Sequence, residues 1–455
     1  MWLDSWAAAC LAPLAAWILP SGLDDLFISA AFVISRQKGF AWPSASDLDA
    51  APERRIAILV PLWKEAGVIE RMLERNLAAV RYGAYEIFAG VYPNDAETLE
   101  AVYRVAQRHP RLHIAMCSRE GPTSKGDCLN QAYRRMSEYE AAHGFRFEVV
   151  MMHDAEDLIH GESLRLVNYL SREYEMVQVP VLPLPRGWRE FTYGNYCDEF
   201  AETQSKDIPV RQRLRGFLPS CGVGTGFARE ALERLGRERG GLIFNPESLT
   251  EDYEAGLCLH QMGCRQVFLP IRMESAGPVA TREYFPHTFR AAVRQRSRWV
   301  AGIALQGWER HGWGTEWRQR YWLWRDRKGL AGNLLTPAAN LLFLYGCWSY
   351  LAAAAAGRPW ELGARIPAGL AAAYSVALSS SALQVAMKMR WTARVYGWRF
   401  ALGAPLRMPW ANAVNCAATV AALLQFAGAR FTRRALVWRK TEHVYPGAGV
   451  PDYLA

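Results

Sequence analysis

Asp154-Ala155-Glu156-Asp157 places three carboxylates within four residues, directly after a short apolar run. Such charges repel one another, and a bound divalent cation is the usual remedy. Mg²⁺ or Mn²⁺ takes a few carboxylates plus the phosphates of a substrate. Two other apolar runs end in acids, Val60-Pro61-Leu62-Trp63-Lys64-Glu65 and Tyr92-Pro93-Asn94-Asp95. Taken alone, Asp95 reads equally well as the cap of the helix that follows it. Glu251-Asp252 follows Thr250, a cap candidate for a helix over 251–263 whose dipole both acids would complement. Gln295, Arg298 and Trp299 fall at i, i+3 and i+4, so one helical face presents all three.

The acidic groups need a frame that brings them together. From 55 to about 270, short apolar runs alternate with helix-like stretches. The runs are Ile56–Pro61, Tyr85–Tyr92, Leu112–Cys117, Phe147–Met152 and Met176–Leu182, with helices starting near Ala66, Ala96 and Lys125. This alternation predicts an α/β domain with a mainly parallel sheet. Such sheets bind ligands at the carboxyl ends of their strands, where Glu65, Asp95 and Asp154 lie.

The 455-residue chain carries 53 Lys+Arg against 44 Asp+Glu, a net charge of +9. Residues 5–23, 329–357, 366–387 and 408–429 contain no Asp, Glu, Lys or Arg. Each is near the ~20 residues that a membrane-spanning helix needs. The N-terminus lacks a basic start and its apolar run meets Asp24-Asp25, which favours an uncleaved anchor over a signal peptide, with a short interfacial helix following over 24–37. Nine cysteines show no CxxC pair, so buried reduced thiols are expected. Basic residues cluster beside the apolar segments, where lipid headgroups rather than nucleic acid would meet them. Over 288–328, Arg residues alternate with Phe289, Val293 and Trp299, and then thread through Trp317, Tyr321, Trp322 and Trp324. That mixture predicts helices lying flat at the membrane interface.

The order Glu65, Asp95, Lys125, Asp154-Ala155-Glu156, Thr250-Glu251-Asp252 and Gln295–Trp299 resembles the membrane-embedded family-two glycosyltransferases, which include cellulose and hyaluronan synthases. A closer resemblance is to the phage-adsorption protein B (NfrB-type) glycosyltransferases. It is carried by Val91–Asp95, Gly222–Thr225, Arg294–Trp299, Gly302–Trp308 and Lys440-Thr441-Glu442-His443. Those proteins continue into a cyclic-di-GMP-binding module, whereas this sequence ends at Ala455. The resemblance implies a GT-A (Rossmann-like) fold between N- and C-terminal membrane helices, in the bacterial inner membrane and facing the cytoplasm. It also implies a UDP-sugar donor, with UDP-N-acetylmannosamine the candidate, a saccharide acceptor of the envelope, and an outer-membrane export or receptor partner. The expected division is 1–37 anchor, 38–287 catalytic domain, 288–328 interfacial helices, 329–429 transmembrane region and 430–455 basic tail.

Within that reading, Glu65 and Asp95 would bind uracil and ribose, and Lys125 the nucleotide's phosphate or base. Asp154 with Glu156 would hold the cation that neutralises the leaving diphosphate. Asp252 would be the general base, with Glu251 raising its pKa by repulsion. Arg298 would neutralise the diphosphate, Trp299 stack under the acceptor, and Gln295 bond a hydroxyl. His153 and His160 read as structural. The rivals are a transferase of single sugars to a lipid phosphate carrier and a non-catalytic receptor or assembly protein for phage adsorption.

Charge counting complicates the topology. With 37–328 in the cytoplasm, a full crossing by 408–429 would put Arg430, Arg433, Arg434, Arg439 and Lys440 outside, against the positive-inside rule. The expectation is that 408–429 is re-entrant, or that part of 391–406 adds a crossing. Either leaves the C-terminus inside, where Lys440–His443 resembles a gating segment.

Overall fold

The computed structural model describes residues 2–35, 40–187, 189–274, 277–434, 436 and 445. Its centre is a seven-stranded sheet built from β1 (Ile56–Pro61), β2 (Tyr85–Val91), β3 (Leu112–Met116), β4 (Val149–Met152), β5 (Met176–Gln178), β7 (Thr225–Ala228) and β8 (Gln266–Phe268). The order is β3-β2-β1-β4-β7-β5-β8, parallel except for β7. β1 shows why the sheet is central. Ile56, Ile58 and Val60 enter one apolar core while Ala57 and Leu59 enter the other, so both faces are covered by helices. The expected strand over Met176–Leu182 divides into β5 and β6 (Val181–Pro183), which lie in different sheets. Pro180 stands between them and has no N–H to continue a ladder. β6 pairs instead with Thr281–Glu283.

Among the described residues, four helices are long and apolar enough to cross a membrane: Trp2–Ser35, Gly329–Ala355, Ala368–Tyr396 and Ala404–Phe431. The first is continuous through Asp24-Asp25, so no separate interfacial helix forms over its described part. The aspartates are held by Arg325 and Lys328, with Lys328 Nζ 2.7 Å from Asp24 and 2.9 Å from Asp25. Asp4 meets Tyr345 at the opposite end of the same helix pair, 3.0 Å away. The segment 288–328 forms helices Phe289–Trp299, Gly307–His311 and Trp317–Arg327, the first two joined by a π-helical turn over Val300–Gln306. Its aromatics are not left for lipid alone. Trp322 is buried beside Phe217, and the Tyr321 hydroxyl donates to Asp24 at 2.6 Å. Trp308, Trp313 and above all Trp317, at 73%, are exposed.

Helix Phe191–Glu202 joins the two halves. Asp198 accepts two hydrogen bonds from fully buried Arg407, at 2.7 and 2.8 Å. Arg407 fits because Gly194 faces it; a Cβ there would stand 2.5 Å from its Cδ. Removing one partner of a buried pair strands the other charge, typically at a cost of about 3–5 kcal/mol. Arg407→Ala and Asp198→Ala are therefore each expected to destabilise the chain by about that amount, and the double variant by less than their sum. Thermal unfolding in detergent of all four proteins measures the cycle.

Candidate active site

β1 leads on through β2 to β3 at one side of the sheet, while β4 lies on the other side of β1. Residues at this switch point border a cavity of about 340 Å³. Pro61, Leu62, Trp63 and Glu65 reach it from β1, and Asp154, Ala155 and Glu156 from β4. Lys125, Glu251, Asp252, Gln295, Arg298 and Trp299 complete it. Segments far apart in sequence thus converge on one space.

Lys125 sits at the start of a helix whose Ser124 cap accepts the Asp127 amide at 3.2 Å. Its ammonium lies 2.6 Å from Asp154 Oδ1. Burial lowers the pKa of Lys125, but the charges of Asp154, Glu251 and Asp252 outweigh it and hold the group above its ordinary range. Burial pushes Asp252 up, against the pull of Lys125 and Arg298. Burial, and then the charge of Asp252, pushes Glu251 up to about 7. Burial is thus the leading cause for both carboxylates, ahead of the repulsion expected between them.

Asp252 is held in place on two sides. The Tyr253 amide donates to its Oδ1 at 2.8 Å. Gly222, at φ +76°, passes so close that a Cβ would stand 2.5 Å from its Oδ2. Thr250 makes no side-chain cap bond; its hydroxyl instead packs where Gly302 leaves room. On the facing helix, Gln295 Oε1 is buried with no hydrogen-bond partner among the described residues. Trp299 stands edge-on to Tyr196 and Phe285, and Arg298 donates to the Leu249 carbonyl at 3.1 Å.

Asp95 is not among the residues lining the cavity. It makes no cap bond either; its carboxylate accepts the Lys64 amide at 2.5 Å and holds that residue at φ +55°. Asp157 is fully buried against His153, 2.7 Å away, which leaves Asp154 and Glu156 facing the cavity. The cavity also contains residues that no motif pointed to: Glu199, Phe200, Gln204, Glu283 and Phe285. Among the described lining residues, seven carboxylates thus face two cationic side chains, Lys125 and Arg298. No group of three or more His, Cys, Asp or Glu among the described residues is gathered to hold a metal alone. Asp154 and Glu156 offer the carboxylate oxygens that Mg²⁺ or Mn²⁺ takes when phosphate oxygens complete its shell, and an anionic phosphate ligand would need such a cation to enter so acidic a space.

Residues 52–302, over half of the chain, match the family described as glycosyltransferase like family 2, and the chain belongs to that family. Its mostly parallel sheet is the GT-A-like fold of such enzymes. Bacteriophage adsorption protein B of Escherichia coli is 35% identical over 461 residues, covering 94% of this chain. The chain spans about 60% of that relative's length. In structure, it resembles a mannosyltransferase, PcManGT of Pyrobaculum calidifontis, solved in complex with GDP-Man and Mn²⁺. The TM-score is 0.50 at 20% identity, over 89% of this chain and 99% of the other.

The raised carboxylates predict a pH profile. A base with a raised pKa loses its function as pH falls through that pKa, so nucleotide release should decline on the acid side of neutrality. Lys125→Met removes the charge that lowers Glu251 and Asp252, and should move this acid limb to higher pH. The pH dependence of kcat/KM for both proteins checks the shift.

Proposed function

We propose that the chain is an inverting membrane glycosyltransferase that moves a sugar from a UDP-sugar to a growing envelope polysaccharide. The observation that carries this reading is the convergence of Asp154, Lys125 and Asp252 in one cavity walled by Gln295, Arg298 and Trp299. The acceptor hydroxyl attacks the anomeric carbon, its proton passes to Asp252, and the bond to the diphosphate breaks to release UDP. Such a base contributes about 10²–10⁴-fold. A divalent cation held by Asp154 and Glu156 would neutralise charge on the departing diphosphate, and PcManGT carries Mn²⁺ alongside its own nucleotide sugar. Lys125 and Arg298 add fixed positive charge to the same end.

Glu65 and the Trp63–Tyr92 wall, whose rings meet edge-on at 5.3 Å, receive the nucleoside. Asp95 acts there through the Lys64 backbone that it holds. Gln295 offers its buried oxygen to an acceptor hydroxyl, and Trp299 with Phe285 and Phe200 forms a surface for a sugar ring. UDP-N-acetylmannosamine is the candidate donor by family resemblance. The catalytic domain, 38–287, faces the cytoplasm from the bacterial inner membrane, with 288–328 against the bilayer surface.

Asp252→Asn should lower transfer by at least about 10²-fold while UDP affinity stays within a few-fold. Asp154→Ala and Glu156→Ala should each weaken Mn²⁺-dependent UDP binding, and EDTA should remove the difference. UDP release by the detergent-solubilised chain, over a panel of UDP-sugars with saccharide or lipid-phosphate acceptors, tests the reaction itself. Absence of UDP release with every donor would refute the enzymatic reading; transfer to lipid phosphate alone would favour single-sugar chemistry.

A further inference from the structure

Gln178, the last residue of β5, is buried and is not among the residues that line the cavity. A side-chain amide carries two N–H donors and an oxygen with two lone pairs, and burial makes each one costly to leave unmade. Here all four are used. Nε2 donates to the carbonyls of Val179 and Val223 at 2.8 and 2.9 Å. Oε1 accepts the Cys221 amide at 2.9 Å and the Thr225 hydroxyl at 2.6 Å. Three of the four partners therefore belong to one stretch, 221–225, which leads into β7. Holding the sheet together does not call for this. β5 and β7 are already joined by their backbone ladder, with Gln178 opposite Thr225.

The hydroxyls extend the hold. Thr225 gives its proton to Gln178, so Ser220, 2.9 Å away, donates to Thr225. The Ser220 oxygen is left to accept the Gly222 amide at 3.3 Å. A directed chain of hydrogen bonds thus runs from Gly222 through two buried hydroxyls to the Gln178 oxygen. At its far end is the carboxylate of Asp252. A Cβ on Gly222 would stand 2.5 Å from Asp252 Oδ2 and 3.5 Å from Lys125 Nζ. The loop backbone bounds Oδ2, while the Tyr253 amide holds Oδ1.

We propose that Gln178 is a positioning residue for the transfer step: through Thr225 and the loop of Gly222 it fixes the wall that orients Asp252 towards the acceptor hydroxyl. It does so without touching substrate. Misplacing a catalytic group by about 1 Å can cost about 10²-fold in rate, so a wall this close to the carboxylate bears on turnover. A glutamate of the same shape would not serve, because it lacks both donors and would set its charge against the Val179 and Val223 carbonyls. The inference rests on the reading of Asp252 as the base.

The test uses the full chain in detergent. Thr225→Val keeps the branched shape that suits a strand and removes the hydroxyl link; Thr225→Ser keeps the link. Gln178→Met removes all four bonds at similar length. UDP release is followed with UDP-N-acetylmannosamine, or with whichever UDP-sugar of the panel above is turned over. Thr225→Val and Gln178→Met should each lower kcat by about tenfold or more, with donor KM and the Mn²⁺-dependent Kd for UDP within about two-fold. Thr225→Ser should restore the rate. In an Asp252→Asn background neither change should lower the residual rate further, because the group they position is gone. Thermal unfolding identifies a variant that fails to fold, and the other then carries the comparison. Unchanged kcat, an equal loss in Thr225→Ser, a loss confined to UDP affinity, or the full loss repeated in the Asp252→Asn background would overturn the proposal. Normal turnover by Asp252→Asn alone would refute the base assignment itself, and the proposal with it.

Discussion

One helix, Phe191–Glu202, carries three buried or half-buried carboxylates that each answer to a different part of the membrane assembly. Asp198 holds Arg407, Glu199 lies 2.7 Å from Arg296, and Glu202 lies 3.1 Å from Lys388. Unpaired, any of these charges would be costly in a low-dielectric setting, so each pair ties the position of an apolar helix to that of the catalytic domain. Glu199 and Phe200 of the same helix also line the cavity. The wall of the reaction space and the docking of the membrane helices are thus one piece of structure.

The cavity is organised by the same principle with the opposite sign. Burial raises the pKa values of Glu251 and Asp252, and Lys125, paired with Asp154, is the counter-charge that keeps the group together. This explains why Asp157 is turned away onto His153: a further exposed carboxylate would add repulsion with no cation to answer it. It also explains the tight approach of Gly222, since a rigid, partly desolvated carboxylate needs a close backbone rather than a mobile side chain beside it.

Two π-helical turns, Thr203–Asp207 and Val300–Gln306, flank the cavity, which Thr203, Gln204 and Ile303 line. Such turns recur at functional sites because they re-aim side chains without ending a helix. Here one follows the carboxylate-bearing helix and the other follows Trp299. Gly302 in the second turn admits Thr250 and so brings the Glu251-Asp252 helix against it.

Local pattern was enough to determine β1 to β4 of the sheet, the positions of Lys125, Asp154, Glu251, Asp252, Gln295, Arg298 and Trp299 at element ends or on one face, and the apolar helices. These features depend on near-neighbour residues: apolar runs, capping, and helical spacing. Tertiary structure alone decided that Asp95 supports the Lys64 backbone, that Asp157 belongs to His153, and that Glu199, Gln204 and Glu283 enter the cavity. It also decided what Ala404–Phe431 packs against. By composition that helix reads as a membrane span, because hydropathy counts how apolar a segment is. What composition does not show is where Arg407, Asn415 and Arg430 find partners, because those partners lie more than a hundred residues away along the chain.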